Sequence, residues 1–264
     1  MGKLFLQLAA ALAALVLWGL HARAADVDTA VDTAVVFAVD FSSSIDPDTA
    51  DLQREGHAAA LTSPDVAAAI ARNYLGCIGV AYFEWASPGR TSVVLPWTRI
   101  CGPEDAEAAA RIIREKGDTG YSRRGRGGTS VSSAIGVASL LLDQFPGNAT
   151  KKIIDISGNG ENNDGLPVQP IRLAAIAKGY TINAIAVAGN NEPIYRLASY
   201  FSDEVIGGPG AFVITPTDPG DYAAALRRKL VTEVSLNVQS PYPPQARSAW
   251  KGRGRQELNE ARRE

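Results

Sequence analysis

Of the 264 residues, 26 are Lys or Arg and 28 are Asp or Glu, and the sign of the charge changes along the chain. Two bases lie in the first 25 positions and six from Ser240 onward, the latter with three acids, which leaves 18 bases against 25 acids between them. An acidic middle argues against nucleic acid as the main partner, and two histidines and two cysteines, with no cysteine pair at ligand spacing, support no zinc site.

The first segment stands apart from any fold. Lys3 gives a positive start, Leu4 to Leu20 is apolar apart from Gln7, and Ala22-Arg23-Ala24 is a small-x-small site. This order predicts a secretory signal peptide over residues 1–24, cleaved after Ala24 or Ala25. An uncleaved anchor is the alternative, although the apolar run is short for a spanning helix. No cysteine lies nearby to carry a lipid. The mature protein is expected to be exported, to the periplasm or beyond.

Ala34 to Asp40 is a short apolar run with three valines, which predicts a strand buried on both faces. It breaks into Asp40, Ser42 and Ser44, and Asp46-Pro47 behind them reads as a helix cap and first turn. One carboxylate and two hydroxyls therefore share the turn between a central strand and its helix. In open α/β sheets ligands bind at that edge, and hard oxygens there suit Mg²⁺ or Mn²⁺. The Asp-x-Ser-x-Ser turn resembles the first motif of the von Willebrand factor type A domain and its metal-ion-dependent adhesion site. A Ser-rich loop with a capping Asp is the plainer alternative.

The helix after Asp46 is predicted to run through His57 to about Leu61, and a second, short one follows Ser63-Pro64. His57 belongs to no nucleophile motif and reads as a helix-surface or packing residue. Cys77 to Trp85 and Thr91 to Trp97 flank Ser87-Pro88-Gly89-Arg90 and predict a hairpin, hence one antiparallel edge strand. The type A family has one in that position. Residues opposed across a hairpin have a constant sum of numbers, which brings Cys77 and Cys101 within disulfide reach at its open end. Export favours oxidation; two reduced, buried thiols are the alternative.

Glu104 to Lys116 predicts an Ala-rich helix. Gly117 to Gly128 is glycine-rich and basic; its Arg123, Arg124 and Arg126 either meet an anionic partner or stay solvated. The same stretch lacks the lysine of a phosphate-binding loop, so no nucleotide is expected. Thr129-Ser130 opens a helix whose Val131, Ile135, Ala138 and Leu142 form an apolar stripe. This Gly-Gly-Thr-Ser turn resembles the second adhesion-site motif, which implies Thr129 as a metal ligand; a simple helix cap is the alternative.

Lys151 to Ser157 predicts the next strand, ending in Gly158-Asn159-Gly160-Glu161-Asn162-Asn163-Asp164. In the type A family the third motif places an Asp at the metal. Alignment on the Gly-Glu-Asn run puts Asn159 there, an oxygen ligand without charge. Asp155 is an odd carboxylate inside a strand. It either bonds the Ser42–Ser44 turn or meets solvent at the sheet edge.

Helices over Ile171–Lys178, Pro193–Phe201 and Asp218–Val234 alternate with strands over Thr181–Ala188 and Ala211–Thr215. The alternation predicts a doubly wound, mostly parallel α/β sheet with one antiparallel edge strand. The resemblance covers residues 33–235, a type A three-layer sandwich most similar to a group of exported bacterial type A-like proteins. Residues 240–264 read as a disordered basic tail, solvated or touching anionic surfaces such as lipid headgroups.

The resemblance implies a protein-binding module rather than an enzyme. Asp40, Ser42, Ser44, Thr129 and Asn159 would hold Mg²⁺ or Mn²⁺ with one position left for a partner's carboxylate. A scaffold that has lost its metal and binds by surface shape is the alternative. A phosphatase is less favoured, because an aspartyl nucleophile of that kind needs Asp-x-Asp, and Ser42 stands where the second acid belongs.

Overall fold

Strand β1 (Val31–Asp40) is buried over its whole length, as its unbroken apolar sequence predicts. In this computed structural model, which describes residues 29–117, 127–187, 193–216 and 218–236, β1 is the axis of a six-stranded sheet ordered β3-β2-β1-β4-β5-β6. The strands β2 (Ile78–Trp85) and β4 (Ala149–Gly158) flank β1 in parallel. β5 (Thr181–Ala186) and β6 (Val213–Ile214) continue the parallel order, and β3 (Thr91–Ile100) pairs antiparallel with β2 at the edge.

Alternate side chains of β1 enter two cores. Val35, Phe37 and Val39 face α1 (Pro47–Leu61), α2 (Pro64–Ala71), α3 (Pro103–Lys116) and α7 (Tyr222–Val234). Ala34, Val36 and Ala38 face α4 (Val131–Asp143), α5 (Val168–Ala177) and α6 (Ile194–Tyr200). The predicted stripe of Val131, Ile135, Ala138 and Leu142 is fully buried in the second core. The result is the doubly wound, three-layer sandwich with one antiparallel edge strand that the sequence predicts.

The β2–β3 hairpin pairs Trp85 with Thr91 near its turn and Ile78 with Ile100 at its open end, with irregularities between Val80 and Phe83. β3 therefore runs three residues past the predicted end at Trp97. Cys77 and Cys101 form a disulfide at that open end, with Cα atoms 4.2 Å apart.

Several other boundaries differ from the prediction, two of them instructively. β6 keeps only Val213 and Ile214, because Phe212 N–H donates to the Asn183 side chain at 3.1 Å and Pro216 has no N–H to offer. The last helix starts at Tyr222, after a 3₁₀ turn over Pro219–Asp221. Among the described residues no helix is long and apolar enough to cross a membrane. The expected signal peptide, the basic tail and Arg123, Arg124 and Arg126 lie outside the described residues.

Candidate metal centre

The carboxyl ends of β1 and β4 lie side by side and bring their loops together. Asp40, the last residue of β1, is fully buried. Its Oδ1 accepts the Ser42 N–H at 2.8 Å, and its Oδ2 accepts the Asn159 N–H at 3.3 Å. Burial pushes its pKa up to about 6, against the lowering effect of its hydrogen bonds from Ser42 and Asn159. Gly158 permits this approach: a Cβ there would stand 3.2 Å from Asp40 Oδ2. Behind the site, Gln53 of α1 donates to the Asp40 carbonyl at 3.0 Å and accepts from Ser157 at 2.7 Å.

The turn after β1 is fixed at its far end by Asp46, whose Oδ1 accepts the Thr49 N–H at 2.8 Å and caps α1. Asp46 is thus the capping Asp, which leaves Asp40 and both serines for the centre. Thr129 Oγ1 donates to Ser42 Oγ at 3.2 Å, Ser42 Oγ and Ser44 Oγ are 3.0 Å apart, and Ser44 Oγ donates to Asn159 Oδ1 at 2.8 Å. The structure brings together all five residues singled out in sequence.

Thr129 does not cap α4. Ser130 does, accepting the Ser133 N–H, and so the Thr129 hydroxyl is turned to Ser42. Its backbone is clamped from the β4 loop. Asn163 N–H donates to the Thr129 carbonyl at 2.9 Å, and Thr129 N–H donates to Asn163 Oδ1 at 2.8 Å. Asn162 Oδ1 accepts the Ser132 N–H at 3.0 Å, and Asp164 Oδ2 accepts the Ser87 hydroxyl at 2.6 Å. Ser87 Oγ in turn accepts the Gly128 N–H at 2.8 Å. Gly128 leaves room for the clamp, since a Cβ there would be 2.7 Å from Asn163 Oδ1.

Asn162, Asn163, Asp164 and Ser87 were not foreseen as part of the site. The Asn-Asn-Asp run announces a polar turn, but its partners lie some thirty to eighty residues away, beyond any local spacing.

One expectation about a charged group is corrected, and another resolved. Asp155 neither bonds the Ser42–Ser44 turn nor meets solvent. It is 0% exposed and paired with Lys229 of α7, because its position in β4 points it into the core beneath α7. Of the two readings of His57, helix surface or packing, the structure gives packing. The imidazole packs edge-on to Phe37 and Tyr82, with ring centroids 4.9 and 5.2 Å away, and its Nδ1 donates to the Gln53 carbonyl at 2.7 Å. Burial pushes its pKa down to about 4.

The donor set fits a small hard cation. Oxygens bound to Mg²⁺ at about 2.0–2.1 Å in an octahedron stand about 2.9 Å apart along its edges. The row from Thr129 to Asn159 has spacings of 3.2, 3.0 and 2.8 Å. Its chemistry is one carboxylate, three hydroxyls and an amide carbonyl. Among the described residues no three His, Cys, Asp or Glu side chains gather into a metal-binding group, and Asp40 is the one carboxylate of the five.

A parallel sheet with a single antiparallel edge strand, sandwiched by helices and carrying this loop cluster at its carboxyl edge, has the fold class of the type A domain. Residues 30–238 match the family described as a protein of unknown function (DUF1194), and the chain belongs to that family. No curated protein matches the sequence.

Among solved structures, the pilus adhesin SpaC from Lactobacillus rhamnosus GG superposes with a TM-score of 0.55 at 14% identity, over 77% of this chain and 30% of the adhesin. Proximal thread matrix protein 1 from the mussel byssus gives 0.52 at 16%, over 77% of this chain and 48% of that one. An aerotolerance-related membrane protein from Bacteroides fragilis gives 0.51 at 15%, over 76% and 98%. At these identities the likeness is one of fold. The chain spans less than a third of the adhesin and about half of the byssus protein.

Proposed function

We propose that this chain is an exported, cation-dependent protein-binding module of the von Willebrand factor type A kind. The observation that carries the reading is the single row of oxygens from Thr129 through Ser42 and Ser44 to Asn159, beside the buried Asp40 carboxylate. Sharing a fold with an adhesin and a byssus matrix protein supports it.

Asp40, Ser42, Ser44, Thr129 and Asn159 would hold Mg²⁺ or Mn²⁺, directly or through water. The bound cation supplies positive charge to which a partner's carboxylate can coordinate. Asp40 is the only charged ligand, and Asn159 contributes an oxygen without charge, so affinity for the bare cation is low and rises when a partner adds its own charge. Ser43 and Ser44 are exposed, which leaves the outer side of the row open to an approaching group. The Asn162–Asn163–Asp164 clamp fixes Thr129, so that little ordering is left to do when the cation arrives.

A metal-free scaffold is the second reading, and a specific observation favours it. Asn159 Nδ2 also donates to the Ser44 carbonyl at 3.3 Å, so the turn is tied to β4 without any cation.

Calorimetric titration of the mature chain with Mg²⁺ and with Mn²⁺ separates the two. Asp40→Ala should abolish binding, and Asn159→Asp should tighten it by about tenfold, or about 1.4 kcal/mol. If Asn159→Asp changes nothing and Asp40→Ala leaves chelator-insensitive partner capture intact, the adhesion site is a relic of ancestry.

A further inference from the structure

Lys229, Asp155 and Glu233 form a cluster that the metal centre does not use. All three side chains are 0% exposed. Lys229 Nζ lies 2.5 Å from Asp155 Oδ1 across the β4–α7 interface and 2.5 Å from Glu233 Oε1, one turn further along α7. Glu233 Oε1 also accepts from Asn183 of β5 at 2.8 Å, and the Phe212 ring lies over the Lys229 nitrogen. Apolar side chains of the first core, among them Phe37, Ile153, Ile185 and Leu230, keep the region dry.

The two contacts of Lys229 differ in kind. The one to Glu233 has hydrogen-bond geometry. The one to Asp155 does not: at 2.5 Å neither Asp155 oxygen accepts a hydrogen bond. The nitrogen is therefore in contact with the carboxyl group, with no hydrogen bond to either of its oxygens.

We propose that Lys229 and Asp155 condense into an intramolecular amide that joins α7 to β4, with Glu233 carrying the proton. Glu233 takes a proton from Nζ, and the freed amine attacks Asp155 Cγ. The Nζ–Cγ bond forms. Glu233 passes the first proton to one Asp155 oxygen and then carries a second to it from the attacking nitrogen. That oxygen, with both protons, departs as water as its C–O bond breaks. Ammonium plus carboxylate becomes amide plus one water, and Glu233 is restored. No oxidant and no activating nucleotide enters.

Three features of the cluster favour the step. Two carboxylates around one ammonium leave an uncompensated charge in a dry core, where each buried ion costs several kcal/mol; the amide removes two of the three charges. Burial, and next the charge of Asp155, pushes the pKa of Glu233 up to about 7, suiting it to take and return a proton near neutrality. Its Oε2 is buried and accepts no hydrogen bond, while Asn183 fixes the other oxygen. Holding Lys229 against Asp155 removes the translational and rotational cost of bringing the two groups together.

The test is intact-mass spectrometry and tryptic mapping of the folded full chain, with the disulfide reduced. The mature protein should be lighter than its sequence by one water. The map should contain a branched peptide joining the segments around Asp155 and Lys229, with no cleavage after Lys229. Glu233→Gln should restore the full mass. Full mass in the wild type with cleavage after Lys229 overturns the bond, and so does loss of water without a branched peptide. A condensed Glu233→Gln variant removes Glu233 from the chemistry. Should that variant fail to fold, the wild-type map alone decides whether the bond exists.

Discussion

Asn159 does two things that an aspartate in its place could not both do. Its carbonyl closes the oxygen row and its amide N–H holds the Ser44 carbonyl. Asn159→Asp therefore trades a metal-independent tie for a charge. In chelator the variant should be less stable than the wild type by about 1 kcal/mol, the net worth of one hydrogen bond. In saturating Mg²⁺ it should be the more stable of the two. Thermal denaturation with and without chelator reads both signs; equal melting in chelator would show that the tie to Ser44 contributes nothing.

Asp40 sets the pH range of the same site. A cation needs its ionised form, and burial raises its pKa to about 6, so protons compete with metal below that point. Metal affinity should climb from about pH 5 to about pH 7 and then level off, by about tenfold per pH unit at the steep end. Calorimetric titrations across that range check it. A flat profile would mean that Asp40 is not the ligand that binds the charge.

At the scale of the elements, the disulfide closes a loop whose ends are 24 residues apart, and loop-closure entropy gives it about 3 kcal/mol of stabilisation. Cys77→Ala with Cys101→Ala should lower the denaturation midpoint accordingly without moving the metal affinity, since the cysteines sit at the end of the hairpin away from its turn. A change in metal binding would mean that the hairpin turn, through Ser87 and Asp164, transmits the loss to Thr129.

Legibility also varies by element. β1, the α4 stripe and the hairpin were readable because each is a local pattern: an unbroken valine-rich run, an apolar stripe from Val131 to Leu142, a Pro-Gly turn between two β-rich segments. Asp40, Ser42 and Ser44 were readable because they sit where a strand breaks into a helix, whereas Thr129 and Asn159 came only through the resemblance to the type A motifs. The Asn163 clamp was not readable, since a reciprocal pair between Asn163 and Thr129 leaves no trace in either neighbourhood. Asp155 was misread for a similar reason. Its partners lie on the last helix, and nothing near residue 155 announces them.

For the whole molecule, His57 is one group that makes stability depend on pH in acid. It is held neutral in the core with a pKa of about 4, below its unfolded value of about 6.5. A depressed folded pKa means that the unfolded chain binds the extra proton. The stability His57 contributes is present above pH 6.5 and is lost as pH falls towards 4, by about 3 kcal/mol in all. His57→Gln should flatten that part of the pH dependence of denaturation. An unchanged slope between about pH 6.5 and pH 4 would assign it to other groups.

The direction of β1 has a mechanical consequence. Val31 opens the strand at one end of the sheet and Asp40 closes it at the other. The end of α7 returns to the Val31 side, where Asn73 Nδ2 donates to the Val234 carbonyl at 2.6 Å and Lys151 Nζ donates to the Glu233 carbonyl at 2.9 Å. Val31 and Val234 thus lie at the end of the sheet opposite the oxygen row. A tensile load between a partner held at the row, as proposed, and the Val31 or Val234 end would run parallel to β1. It would load the hydrogen bonds from β1 to β2 and β4 in shear, all at once instead of one by one.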